Sequence, residues 1–360
     1  MLNRSDKLFT KALKLIQEKG NFRSLPQERD YKLDFTSNNY LDIPIPFKSS
    51  KLSQSKGSRL LGGNHSTLVE TEKILARFFD APEALLMNSG YVANLAFWAH
   101  VPQKGDLVLY DKKVHASIRD GIQLGKAKSY SFKHNDFDDL VHKFQSHRDD
   151  FHQVFVAVES VYSMDGDRAP LQELSQWCEE NEVFLVVDEA HGVGTSYPSG
   201  KGWCLDMGLA SKIPFRLVTL GKGLGLHGAV WLGTSDFKTY MVNTARSFIY
   251  TTSLPASLFD IEWETYFQVF EERINDLHVL MAKLEKAPWL KGWGHTPIKY
   301  IPCPSSEKAV ELQNRLAEKG IRAQAVRPPT VLPGEERLRI CIRATHQLHD
   351  FEELKKALEL

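Results

Sequence analysis

The sequence predicts an α/β protein: a doubly wound, mostly parallel sheet in a large domain, followed by a smaller α/β C-terminal domain. Three observations carry this expectation. Short apolar runs alternate with helix-period segments from Ala84 to Thr219, which is how repeated strand–crossover–strand units read. Several of the runs are apolar throughout, as strands buried on both faces are. The reactive residues stand just past the carboxyl ends of those runs, where open α/β sheets bind their ligands.

Taken in order, Asp6 to Lys19 has amphipathic spacing that stops at Gly20, a helix with its end signal, and a polar connection holding Arg23 and Pro26 follows. Leu33 to Thr36 reads as a short strand. It leads into the polar turn Ser37-Asn38-Asn39-Tyr40-Leu41, where Asn38 either caps the turn or offers its amide to a ligand. Gly57 to His65 is a glycine-rich loop suited to close backbone approach, and Thr67 with Glu70 predicts a capping box opening a helix through Phe79. Ala84 to Met87 is a buried strand. Asn88-Ser89-Gly90-Tyr91 then turns the chain into a helix reaching about His100, whose free N–H groups and dipole suit a phosphate.

The strand Leu107 to Tyr110 delivers His115, an aromatic ring able to stack on a planar cofactor or simply to rest at the surface. Strands at Ala127–Phe132 and Val154–Val158 alternate with helices at Asp136–Gln145 and Leu171–Asn181, and Ser163 follows the second of these strands. Val183 to Val187 runs into Asp188-Glu189-Ala190-His191-Gly192, and Arg216 to Leu220 runs into Gly221-Lys222-Gly223. An Asp after valines often only caps a turn, and a Lys between glycines is often solvated. In this order and spacing, a buried carboxylate, an imidazole and a glycine-flanked lysine point to pyridoxal phosphate (PLP) chemistry.

Beyond a strand at Ala229–Leu232, Ser247 to Pro255 is a hydroxyl-rich loop, and Pro255 to Lys286 is a long helical stretch marking the crossover to the second domain. There Pro297–Ile301, Glu307–Lys319, Ile321–Ala325, Arg337–Ile342 and Phe351–Leu358 alternate strand and helix. Alternation puts Arg337 and Arg339 on one face, where each needs an anion, either a substrate carboxylate or a structural Asp or Glu. The expected organisation is residues 1–45 as an N-terminal helix and strand packing with the small domain, 46–255 as the large PLP-binding domain, and 256–360 as crossover helix and small domain.

Composition removes other classes. With 42% hydrophobic residues in 360 the chain can bury a large core, and 45 basic against 45 acidic residues leave no overall field for nucleic acid or anionic membrane. Cys178, Cys204, Cys303 and Cys341 form no C-x-x-C pair; neither a zinc site nor a disulfide framework is expected, and reduced thiols suit a cytoplasmic protein. No apolar run is long enough to cross a bilayer. Asp188 to His191 spells a helicase-type ATPase motif, but the required G-x-x-x-x-G-K-[ST] loop is missing. Gly223, Gly225 and Gly228 fit G-x-G-x-x-G but precede a strand, whereas a dinucleotide fingerprint precedes a helix.

The segments Thr36 to Leu41, Gly57 to Leu60, Val161 to Asp167, Asp188 to Gly192, Thr219 to Gly223 and Tyr250 to Ser253 together resemble the α-oxoamine synthases. These are fold-type-I PLP transferases, with the aspartate aminotransferase fold, that join an amino acid to an acyl thioester and release carbon dioxide. The resemblance runs from Phe35 to the C-terminus. Arg327-Pro328-Pro329-Thr330-Val331, with Gly334 and Arg337 to Ile340, is most similar to the branch that takes L-alanine and a pimeloyl thioester.

The resemblance implies that Lys222 carries the cofactor as an imine, Asp188 partners the pyridine nitrogen, His115 stacks on the ring, and His191 and Ser163 approach its phenolic oxygen. It implies phosphate contacts from Gly90, Tyr91 and Thr219, and from Thr252 of a second subunit in a homodimer with shared sites. Asn38 and Arg339 would hold the amino-acid carboxylate, and Thr330 and Arg23 would touch the acyl substrate. Three features depart from the family pattern: Asp42-Ile43 in place of Gly-Leu, a shortened connection from Leu41 to Gly57, and Leu332-Pro333 after Val331. The acyl chain and its carrier, coenzyme A or an acyl carrier protein, stay open.

Overall fold

The computed structural model describes the chain apart from residues 1–3, 19–21, 23, 24, 26–28, 50–52, 293, 294 and 360. After α1 (Arg4–Glu18), β1 (Leu33–Asp34) and α2 (Ser66–Phe78) comes the central sheet. Its strands are β2 (Glu83–Met87), β3 (Leu107–Asp111), β4 (Lys128–Phe132), β5 (Val154–Glu159), β6 (Phe184–Asp188), β7 (Phe215–Thr219) and β8 (Ala229–Gly233). They lie in the order β2-β8-β7-β6-β5-β3-β4. Every pairing is parallel except those of β8, which is antiparallel to both β2 and β7.

The uniformly apolar strands are explained by burial on both faces. Leu107, Leu109, Val156, Val158, Leu185 and Val187 point into one core, while the alternating Val108, Phe155, Ala157 and Val186 point into another. Each fully buried Val or Leu side chain stabilises the fold by roughly 1.5–3 kcal/mol. The crossovers are α3 (Gly90–His100), α4 (Ala116–Leu124), α5 (Phe137–Gln145) and α6 (Leu171–Glu180), with α7 (Trp203–Asp206), α8 (Ser235–Thr244) and α9 (Arg246–Ile249) beyond them.

The long α10 (Trp263–Leu284) precedes β9 (Ile298–Pro302), α11 (Ser306–Glu318), β10 (Ile321–Arg322), β11 (Gln324–Val326), β12 (Arg337–Cys341) and α12 (Leu348–Leu358). An antiparallel sheet runs β11-β12-β9, and β1 pairs in parallel with β10, Leu33 opposite Ile321. The N-terminal strand is thereby tied to the C-terminal elements.

Local chemistry moves several expected boundaries. Helix α2 starts at Ser66, and His65 caps it, Nδ1 accepting from the Thr67 N–H at 3.2 Å, so the expected Thr67–Glu70 box is not the cap. The strand at Leu33 ends after two residues because the Asp34 carboxylate accepts from both the N–H and the hydroxyl of Thr36 at 2.7 Å, a local turn competing with the ladder. The helix expected from Pro255 begins only at Trp263; Ala256–Phe259 is a single 3₁₀ turn and Ile261 bridges to Phe47.

Candidate active site

Parallel pairing of β6 and β7 sets Asp188 opposite Leu217, so the residues that follow both strands emerge at one edge of the sheet. There the Lys222 Nζ lies 2.7 Å from Nε2 of His191, and His191 Nδ1 lies 2.7 Å from the hydroxyl of Tyr40. Burial, opposed by Asp188 and Glu159, lowers the Lys222 pKa from its ordinary value. Burial, reinforced by Lys222 and Arg339, pushes His191 well below its ordinary value. A lysine with a depressed pKa beside a neutral imidazole is an amine ready to act as nucleophile or base.

Asp188 is buried, its carboxylate accepting from Asn94 Nδ2 and from the Ala190 N–H, each at 2.9 Å. Asn94 also donates to Ser117 Oγ at 3.0 Å, and that hydroxyl stands 2.8 Å from His115 Nδ1. His115 is the residue before α4, fixed by its own backbone N–H donating to Glu159 and by the Ser117 N–H donating to its ring. Loss of hydration lowers the His115 pKa. Glu159 faces Asp188 across the β5–β6 ladder, and burial, reinforced by Asp188, raises its pKa to about 8. Tyr40, Asn94 and Glu159 were not among the residues singled out from the sequence. Asn94, the one amide in the apolar run of α3, and Glu159, the last residue of a buried strand, carried a readable signal.

The α3 N-terminus sits beside β7. Ser89 caps it, accepting from the Val92 N–H at 3.2 Å, and the N–H groups of Gly90 and Tyr91 precede the first backbone bond, Ala93 to Ser89. A Cβ on Gly90 would stand 2.4 Å from Thr219 Cγ2, so only glycine permits this approach. The Tyr91 hydroxyl donates to Asp120, and its ring meets His115 edge-on at 6.1 Å. Thr252 presents its carbonyl to Asn88 Nδ2 at 2.7 Å, next to the same helix start.

On β12 Arg339, 7% exposed, donates from Nε to the Ser163 carbonyl at 2.8 Å and from Nη1 to Asn38 Oδ1 at 3.0 Å. Its buried Nη2 has no hydrogen-bond partner among the described residues. Arg337, by contrast, is ion-paired with Asp165, which also accepts from Lys113 at 2.5 Å. The alternatives left open for the two arginines are thus separated: Arg337 has a structural acid, and Arg339 keeps a buried donor without a hydrogen-bond partner among the described residues. Thr330 and Ser163 line a cavity of about 430 Å³ that also touches Lys112, Lys113 and Arg119. Arg23 lies outside the described residues.

The residues present fit PLP. A buried amine of lowered pKa suits the aldehyde, and a carboxylate fixed by Asn94 suits the ring nitrogen. The bare backbone at Gly90, where a Cβ would collide with Thr219, leaves a helix N-terminus open for a phosphate.

The sequence matches the family described as aminotransferase class I and II over residues 30–358. The 8-amino-7-oxononanoate synthase of Alcanivorax borkumensis is 35% identical over 341 residues, 91% of this chain and 88% of that protein. The structure of the 8-amino-7-oxononanoate synthase of Francisella tularensis superposes with a TM-score of 0.70 at 26% identity, covering 91% of this chain and 96% of the other. A structure of serine palmitoyltransferase with PLP superposes with a TM-score of 0.85 at 24% identity, covering 98% and 97%.

Proposed function

This chain belongs to the aminotransferase class I and II family and is a PLP-dependent transferase of fold type I, and on that premise we propose that it condenses L-alanine with a pimeloyl thioester. The product, after loss of carbon dioxide, is 8-amino-7-oxononanoate, a step of biotin biosynthesis. The observation that carries the reading is Arg339 Nη2, a buried donor beside Asn38 without a hydrogen-bond partner among the described residues. An amino-acid carboxylate would take a charge-assisted bond from that nitrogen.

When bound, PLP supplies an electron sink for negative charge at the amino acid's α-carbon. Lys222 would hold the cofactor's aldehyde carbon, and its Nζ is the site that would take the α-proton. Asp188, fixed by Asn94 and Ala190, faces the ring nitrogen and favours its protonated form. His115 would lie against the ring face and share proton movement with Lys222, while His191 and Ser163 would hydrogen-bond near the phenolic oxygen. Gly90, Tyr91 and Thr219 would hold the phosphate, and Thr252 would contribute a phosphate contact to the second copy in a homodimer. Arg339 and Asn38 orient the amino acid, and Thr330, at the cavity shared with Ser163, meets the acyl substrate, a role also assigned to Arg23. The same reading takes 46–255 as the PLP-binding domain, 256–360 as crossover and small domain with 1–45 packed on it, and the cytoplasm as the compartment.

Carbon dioxide release should be measured with alanine, glycine and serine, each paired with pimeloyl, acetyl and palmitoyl thioesters. The reading expects the highest kcat/KM for alanine with the pimeloyl thioester. Preference for glycine with the acetyl thioester, or serine with the palmitoyl thioester, assigns the chain to a sister α-oxoamine synthase instead.

A further inference from the structure

The turn from Thr36 to Asp42 carries Asn38 and Tyr40, the residues that meet Arg339 and His191, yet it belongs to no helix or strand. It is held at its start by the Cys341 N–H donating to the Phe35 carbonyl and near its end by the Ala344 N–H donating to the Tyr40 carbonyl, each at 2.8 Å. Two residues further on, Asp42 adopts φ +50°, a conformation that disfavours residues with a side chain. What holds it there is specific. Its Oδ2 accepts from Arg343 Nη1 at 2.8 Å and from the Thr345 hydroxyl at 3.0 Å, and its own N–H donates back to Asn39 Oδ1 at 3.2 Å. The Asn39 amide packs against the lysine loop: a Cβ on Gly225 would stand 3.2 Å from its Oδ1.

We propose that Asp42, gripped by Arg343 and Thr345, is a positioning residue that sets where Asn38 and Tyr40 stand relative to Arg339 and His191, and so tunes affinity for the amino-acid substrate. The inference rests on the assignment of Asn38 and Arg339 to the substrate carboxylate. The Asp42 and Arg343 side chains are 37% and 20% exposed, so the pair adds little to global stability. Its effect is geometric. Arg343 follows β12 on the same stretch of chain as Arg339, so the grip ties both walls of the carboxylate site to one segment.

The test compares the wild-type holoenzyme with Asp42→Gly, which relieves the positive φ while removing the carboxylate, with Arg343→Gln, and with the double variant. L-alanine is titrated against the visible cofactor band, kcat and KM are measured, and amide exchange is followed over residues 36–44. Each single substitution is expected to weaken alanine binding and raise KM about fivefold with a smaller change in kcat, to speed exchange in the turn, and to make the double variant no worse than either single. Unchanged alanine affinity, or effects that multiply in the double variant, overturns the clamp. If the wild type responds only to glycine or serine, the proposed substrate fails and that amino acid replaces alanine in the same cycle. If it responds to none, exchange alone decides, and an unaltered rate over 36–44 in both variants overturns the clamp.

Discussion

Lys222 and His191 face each other across 2.7 Å, and His191 turns its other nitrogen to Tyr40 at the same distance. Burial holds the Tyr40 phenol far above its ordinary range, so its hydroxyl keeps its proton. The imidazole is thereby held between the lysine and a buried phenol.

Replacing Tyr40 with Phe removes the hydroxyl partner of His191 Nδ1 and leaves a buried nitrogen unpaired. Steady-state kinetics should show kcat reduced about tenfold, with bound PLP, read from absorbance, unchanged. Loss of PLP with no effect on turnover of the remaining holoenzyme would assign Tyr40 to cofactor retention instead.

Gly90→Ala places a methyl 2.4 Å from Thr219 Cγ2. PLP affinity, measured by reconstituting apoprotein, should fall. Adding Thr219→Ser removes the opposing methyl while keeping the hydroxyl, so the double variant should bind PLP more tightly than Gly90→Ala alone. Failure of that rescue would mean that Gly90 acts through backbone freedom rather than through its closeness to Thr219.

His134 joins Asp111, at the end of β3, to Asp167, on the turn that carries Ser163, with contacts of 2.9 and 2.6 Å. Burial alone would lower its pKa, but the two carboxylates outweigh burial and raise it to about 9. A pKa raised on folding stabilises the native state fully below the ordinary value of about 6.5 and is lost as pH climbs through about 9. The contribution is on the order of 3 kcal/mol. Thermal unfolding between those limits should show wild-type stability declining with pH, and His134→Gln should start lower and decline less.

The strand-terminal residues were readable because chemistry and position coincide there: Asp188 and Lys222 follow apolar runs, and a parallel sheet delivers both to one edge. Other features depend on contacts far apart in sequence. The antiparallel insertion of β8 between β2 and β7 is one, since an apolar strand reads the same in either direction. The partner of Arg337 is another: alternation places it on the face of Arg339, but only folding brings Asp165 to it and leaves Arg339 with a donor to spare. Asp42 looked like a mere departure from the family pattern until Arg343 and Thr345 supplied its reason. Helix α4, starting directly after His115, was not foreseen, because its signal was absorbed into the reading of that histidine as a ring-stacking residue.

The central claim is that Lys222 holds PLP covalently while Asp188 attends the ring nitrogen. The visible spectrum of purified protein supplied with PLP tests this most directly. The account predicts an absorption band that resists dialysis, shifts when L-alanine is added, and is absent from Lys222→Ala. A band of equal strength and persistence in Lys222→Ala, or protein that remains colourless with PLP, would contradict it.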